Sequence, residues 1–103
     1  MIKRYGFIIK AESYSHVRDS TDLNAPEFST HVVGVSSDDE AIVVAKAMIE
    51  SGIQVIELCG GFGADSASYI IESLDTNVPI GYVTFSGQET NKLEQLLKLR
   101  SGV

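Results

Sequence analysis

Seven residues, Ile53 to Cys59 (IQVIELC), form an almost unbroken apolar run that Gly60-Gly61-Phe62-Gly63 ends at once. A run this short, rich in β-branched residues and bounded by glycines, reads as a strand. Its continuity is what a strand covered on both faces of a parallel sheet shows. Parallel strands are joined by crossovers, usually helical, so the segments on either side are where helices are needed.

They are there. Upstream, Ser37-Asp38-Asp39-Glu40 matches the S-x-x-E capping box, with acidic residues at the positive helix end. Ala41, Ile42, Ala45, Met48 and Ile49 then form one stripe, and Gly52 supplies the stop. Downstream, Asp65 is the expected N-cap of a second helix striped by Ala67, Ile70, Ile71 and Leu74, and Asn77-Val78-Pro79 prevents its continuation. Ser86-Gly87-Gln88-Glu89 repeats the capping pattern before a third helix whose buried side is Leu93, Leu96, Leu97 and the aliphatic stem of Arg100.

Tyr5 to Ala11 (YGFIIKA), His31 to Ser36 (HVVGVS) and Ile80 to Ser86 (IGYVTFS) read as the other strands. Glu12 to Thr30 has no clean period and reads as irregular, with room for one turn of helix. The order is therefore ββαβαβα. It predicts one small α/β domain over residues 1–103, with a mostly parallel four-stranded sheet covered by three helices. The place of the first strand in the sheet is left open by the pattern.

With 103 residues, 44% hydrophobic and 21% charged, the chain is long and apolar enough for one core. No apolar run nears the roughly 18 residues of a membrane span, and Met1 to Lys10 lacks the features of a signal peptide. The net charge of −6 repels phosphate backbones and anionic membranes, and no basic cluster exceeds Lys3-Arg4. Nucleic acid and membrane are thus not expected partners. The single cysteine, Cys59, suits a reducing compartment, so the cytoplasm is expected.

In a parallel sheet, ligands bind beyond the carboxyl ends of the strands. That rule selects Lys10, Ser36, Glu57, Cys59, Gly60, Gly61, Phe62, Gly63, Thr84 and Ser86. The Gly60–Gly63 loop lets backbone approach a ligand and exposes amides near a helix N-terminus, which suits an anion, and at least one of Gly61 and Gly63 is expected at positive φ. It is neither G-x-G-x-x-G nor a P-loop, so no nucleotide cofactor is implied. Glu57 interrupts the apolar strand, either as a proton carrier or as a carboxylate paired to Lys10 or loop amides. Cys59, next to a helix N-terminus, is either a nucleophile or a small buried hydrophobe. His16 and His31 fit no metal-ligand spacing, so no metal is expected, and His16 with Arg18 sits on the long loop where it could fold over a site.

Gln54 to Gly63 (QVIELCGGFG), with Gly34-Val35-Ser36 before it and Pro79 to Thr84 (PIGYVT) after it, resembles a family of short bacterial proteins of unknown function. The ELCGGFG string is its most specific part, and the resemblance spans nearly the whole chain. It implies a single cytoplasmic domain and carries no activity, cofactor or catalytic residue with it.

Three functions follow as expectations. The first is a domain binding a small molecule or anion, with Lys10, Ser36, Gly60, Gly61, Phe62, Gly63, Thr84 and Ser86 as its lining. The second is a small lyase or isomerase in which Glu57, with Cys59 nearby, moves a proton and Lys10 or loop amides hold an oxyanion. The third is a homo-oligomeric subunit that covers its sheet edges by assembly.

Overall fold

The computed structural model describes residues 1–100, apart from the side chain of Arg100, so the burial expected of that stem lies outside the described residues. Five strands and three helices follow in the order β1 (Arg4–Lys10), β2 (Ser20–Ala25), β3 (Phe28–Val35), α1 (Asp38–Glu50), β4 (Val55–Leu58), α2 (Gly63–Leu74), β5 (Ile80–Tyr82) and α3 (Gly87–Arg100). The sheet order is β2-β3-β1-β4-β5, so the first strand is central. Every pairing is parallel except the β2–β3 hairpin.

One strand more is present than the pattern predicts. β2 lies inside the segment expected to be irregular, and β3 begins at Phe28 instead of His31. The reason is that β2 is an exposed edge strand along its whole length. With neither face buried it needs no apolar alternation, and its order comes from backbone pairing to β3, Ser20 opposite Val33 through Ala25 opposite Phe28. β5 is shorter than expected; after Tyr82 only Val83 still reaches the sheet, donating its N–H to the Leu58 carbonyl at 3.0 Å.

The core lies on one side of the sheet. Ile8, Val33, Val35, Ile56 and Leu58, which the strand register puts on a common face, are buried against Ala41, Val44, Ala45 and Met48 of α1 and Ala67 and Ile70 of α2. The run Ile53–Cys59, expected to be covered on both faces, is covered by helices on one only: Val55 and Glu57 of β4 point to the opposite face, where neither α1 nor α2 lies. Both crossovers step in the same direction, from β3 past β1 to β4 and from β4 to β5. Right-handed connections that step the same way put their helices on the same face. All three expected helices exist, but α1 and α2 do the covering, and α3 leaves the sheet with Leu93, Leu96 and Leu97 exposed.

Helix ends follow their chemistry in part. Ser37 caps α1, its hydroxyl accepting the Glu40 N–H at 3.1 Å. Gly52, at φ 95°, follows the last turn of that helix. α2 begins two residues before its expected cap: Phe62 stands at the N-cap with no side-chain bond, and Asp65 is within the first turn. The tight turn that places Phe62 there is closed by its N–H donating to the Cys59 carbonyl at 3.1 Å.

Candidate functional site

At the carboxyl edge, β1 ends in Lys10, whose Nζ donates to Asp38 Oδ1 at 2.8 Å and lies 4.8 Å from the centre of the Phe62 ring. The other oxygen of Asp38 accepts the Ser66 hydroxyl at 2.7 Å. Burial works to raise the Asp38 pKa, but the bonds from Lys10 and Ser66 and the Lys10 charge outweigh it and hold the carboxyl below its usual value. This cluster fastens the central strand to the first turns of both covering helices. Lys10 is thereby engaged by a structural carboxylate.

Cys59 belongs to the same cluster. Its Sγ accepts the Lys10 backbone N–H at 3.3 Å. A Cβ on Gly61 would stand 3.3 Å from the Lys10 carbonyl oxygen and 3.5 Å from that sulfur, so glycine there lets two stretches of backbone pass closely. Gly63 has φ +74° with open space where a Cβ would stand, which meets the expectation of positive φ in this loop.

In front of this cluster is a cavity of about 740 Å³. Its floor is Gly60, Gly61, Gly63 and Ala64; one wall is Tyr82 to Phe85, with Thr84 among them, and the other is Thr90, Leu93 and Leu97 of α3. Ser86 is at the hinge, its carbonyl accepting the Thr90 N–H at 2.8 Å. Four of the expected residues therefore meet in one cavity: Gly60, Gly61, Gly63 and Thr84. Lys10, Cys59 and Phe62 pack together beside them.

Two expected residues go elsewhere. Ser36 gives its N–H, at 2.7 Å, and its hydroxyl to Glu40, away from the glycine loop. Glu57 shares the helix-free face with Tyr5 and Phe7 and is not among the residues lining the cavity. The Tyr5 hydroxyl donates to it. Burial first, then that bond and the Glu57 charge, push the Tyr5 pKa up to about 12.

A second cavity, of about 400 Å³, lies between α1 and the hairpin and has both His16 and His31 on its walls. His31 Nδ1 stands 2.6 Å from Asp22 Oδ1, and His16 Nδ1 stands 2.6 Å from Glu40 Oε2. Sequence spacing does not show this convergence, because it depends on the β2–β3 hairpin that brings His31 toward α1. The signal was Ala25-Pro26-Glu27, a turn between two extended stretches. Among the described residues no group of three His, Cys, Asp or Glu side chains is placed to hold a metal ion, and no helix is long and apolar enough to cross a membrane.

Comparison with curated proteins and with solved structures finds no match. A family model described as a family of unknown function, DUF6506, matches residues 3–98, and the chain belongs to that family.

Proposed function

We propose that the protein binds a small organic anion with an apolar body in the cavity between α2, the end of β5 and α3. The observation that carries this reading is the first turn of α2, whose N-cap residue Phe62 offers no side-chain acceptor, while Gly63 and Ala64 of that turn line the cavity. Uncapped amides at a helix N-terminus favour negative charge, and a Gly loop lets the ligand approach them. The rest of the lining is mostly apolar, with Tyr82, Val83, Phe85, Leu93 and Leu97 suited to a hydrocarbon portion and Thr84 and Thr90 to a polar group.

Glu57 lies outside this cavity, so the reading rests on backbone amides and shape instead of proton transfer. Cys59, a half-buried free thiol, supports a reducing setting, the cytoplasm, for this activity.

The test is an amide NMR titration of the full chain with short-chain carboxylates and with the matching primary amides. Saturable shifts at Gly60 to Ala64 and at Thr84 are expected with the carboxylates and not with the amides. No shift there, or equal shifts with both series, would defeat the reading.

A further inference from the structure

The sheet has one face without a helix, and the chain has one helix without a sheet. Tyr5, Phe7 and Ile9 of β1, Val32 of β3 and Val55 of β4 stand on the helix-free face, where Tyr14, packed over Gly34, reaches across from the loop after β1, and each of the five keeps part of its surface exposed. Glu57 is the one charged strand residue on that face, and Tyr5 already donates to it. On α3, exposure rises with distance from the body, from 38% at Leu93 to 52% at Leu96, 58% at Leu97 and 74% at Leu99. The first turn is anchored by Thr90, whose N–H and hydroxyl bond to the carbonyls of Ser86 and Phe85 at 2.8 and 3.1 Å. The helix therefore leaves the domain as a projecting arm, and the molecule measures 45 Å along one axis against 26 and 25 Å along the others.

We propose that the outer half of α3, around Leu96 and Leu99, docks on the uncovered sheet face of a second copy of this chain, in a two-fold exchange. Each chain carries one apolar arm and one apolar face. A two-fold pair satisfies both on both protomers, whereas an unrelated partner would cover one and leave the other in water. The dimensions agree. A helix of 14 residues is about 21 Å long. A strand of seven residues, as in β1, is about 23 Å long. Five strands about 4.8 Å apart make a face of roughly 400 Å². Adding a helix stripe of about 200 Å² per protomer gives a pair burying on the order of 1,200 Å², the lower end of what stable, specific interfaces use. The cavity wall uses Thr90, Leu93 and Leu97, and neither Leu96 nor Leu99 lines the cavity, so dimerisation and the ligand reading stand or fall separately.

Equilibrium sedimentation of the full chain over a dilution series tests this. The natural sequence is expected to form a dimer. Leu96→Lys with Leu99→Lys on the arm, and separately Val32→Lys on the face, are expected to raise the dimer dissociation constant by about 100-fold or more while far-ultraviolet circular dichroism stays that of the folded chain. A chain that is monomeric throughout, or a dimer that none of these changes disturbs, overturns the proposal. A Cys59→Ser background carrying Leu96→Cys and Val32→Cys distinguishes exchange from self-covering. Exchange gives disulfide-linked dimers on oxidation, and a disulfide that leaves the chain monomeric shows the arm on its own sheet and overturns it too.

Discussion

His16 Nδ1 stands 2.6 Å from Glu40 Oε2, and the same oxygen also accepts the His16 backbone N–H at 2.8 Å. The other oxygen accepts the Ser36 N–H at 2.7 Å. One carboxylate in the first turn of α1 thus holds both the long loop after β1 and the end of β3. In the capping box, a Glu at this position reaches back to the N–H of its own cap residue. Here it reaches one residue further and across to the loop. An ionised carboxylate only accepts, so the His16 proton sits on Nδ1.

The backbone bonds from His16 and Ser36, followed by the His16 ring bond, bring Glu40 down to about 2 from an ordinary 4.5, against the opposing effect of burial. A carboxyl with a lowered folded-state pKa stabilises the fold above its unfolded pKa and loses that contribution as pH falls through the folded value. Glu40→Gln should therefore cost on the order of 1–2 kcal/mol at neutral pH. The difference in melting temperature between the two proteins should shrink between about pH 5 and pH 2, where the natural chain loses its advantage. A difference independent of pH would show that the charge of Glu40 is unimportant.

Tyr5 is expected to be among the last of the four tyrosines to ionise, at about pH 12, in an ultraviolet titration. Tyr69 is also raised, chiefly by donating to Asp39 at 2.6 Å. Glu57→Gln removes the charge facing Tyr5 and should bring one of the late transitions down while leaving the other in place. If neither moves, the Tyr5–Glu57 bond on the uncovered face is absent in solution.

Gly63 and Gly81 both have open space where a Cβ would stand, but only Gly63 has positive φ, +74°. Gly63→Ala should destabilise the protein by about 1 kcal/mol through backbone strain alone. Gly81→Ala, in strand β5, should be neutral or stabilising by a few tenths of a kcal/mol, because it restricts the unfolded chain. Chemical denaturation of both variants checks the contrast, and equal effects would contradict the left-handed conformation at Gly63.

Ile8 and Ile9 are neighbours in the central strand and point to opposite faces of the sheet. Ile8 is fully buried against the helices, whereas Ile9 is half-exposed on the other side. Ile8→Ala should cost about 2–5 kcal/mol, and Ile9→Ala, measured at low protein concentration, about 1 kcal/mol or less. Comparable losses would mean that the second face is covered within the monomer.

How much of this was legible follows from what each pattern reports. The stripes of α1 and α2 and the run around β4 record burial, and burial repeats with the period of the element, so those elements stand in the chain as written. β2 records none, because both of its faces meet water, and it was hidden for that reason. The glycine loop announced a turn with a left-handed residue, and Gly63 supplies it. The cavity in front of it could be expected only as a place, at the carboxyl ends of the strands. That Thr84 joins it while Ser36 and Glu57 turn elsewhere depends on register and on side chains from distant segments.

By itself, then, the sequence determined the alternation of strands and helices and the stop and start signals between them, since these depend on neighbours within a few residues. The tertiary structure alone decided that β1 is central, that both crossover helices lie on one face, and that Lys10 meets Asp38 and not Glu57. Those outcomes follow from the direction in which successive crossovers step. Each strand's alternation is the same whichever face receives the helices, so no local period distinguishes the covered side of the sheet from the open one.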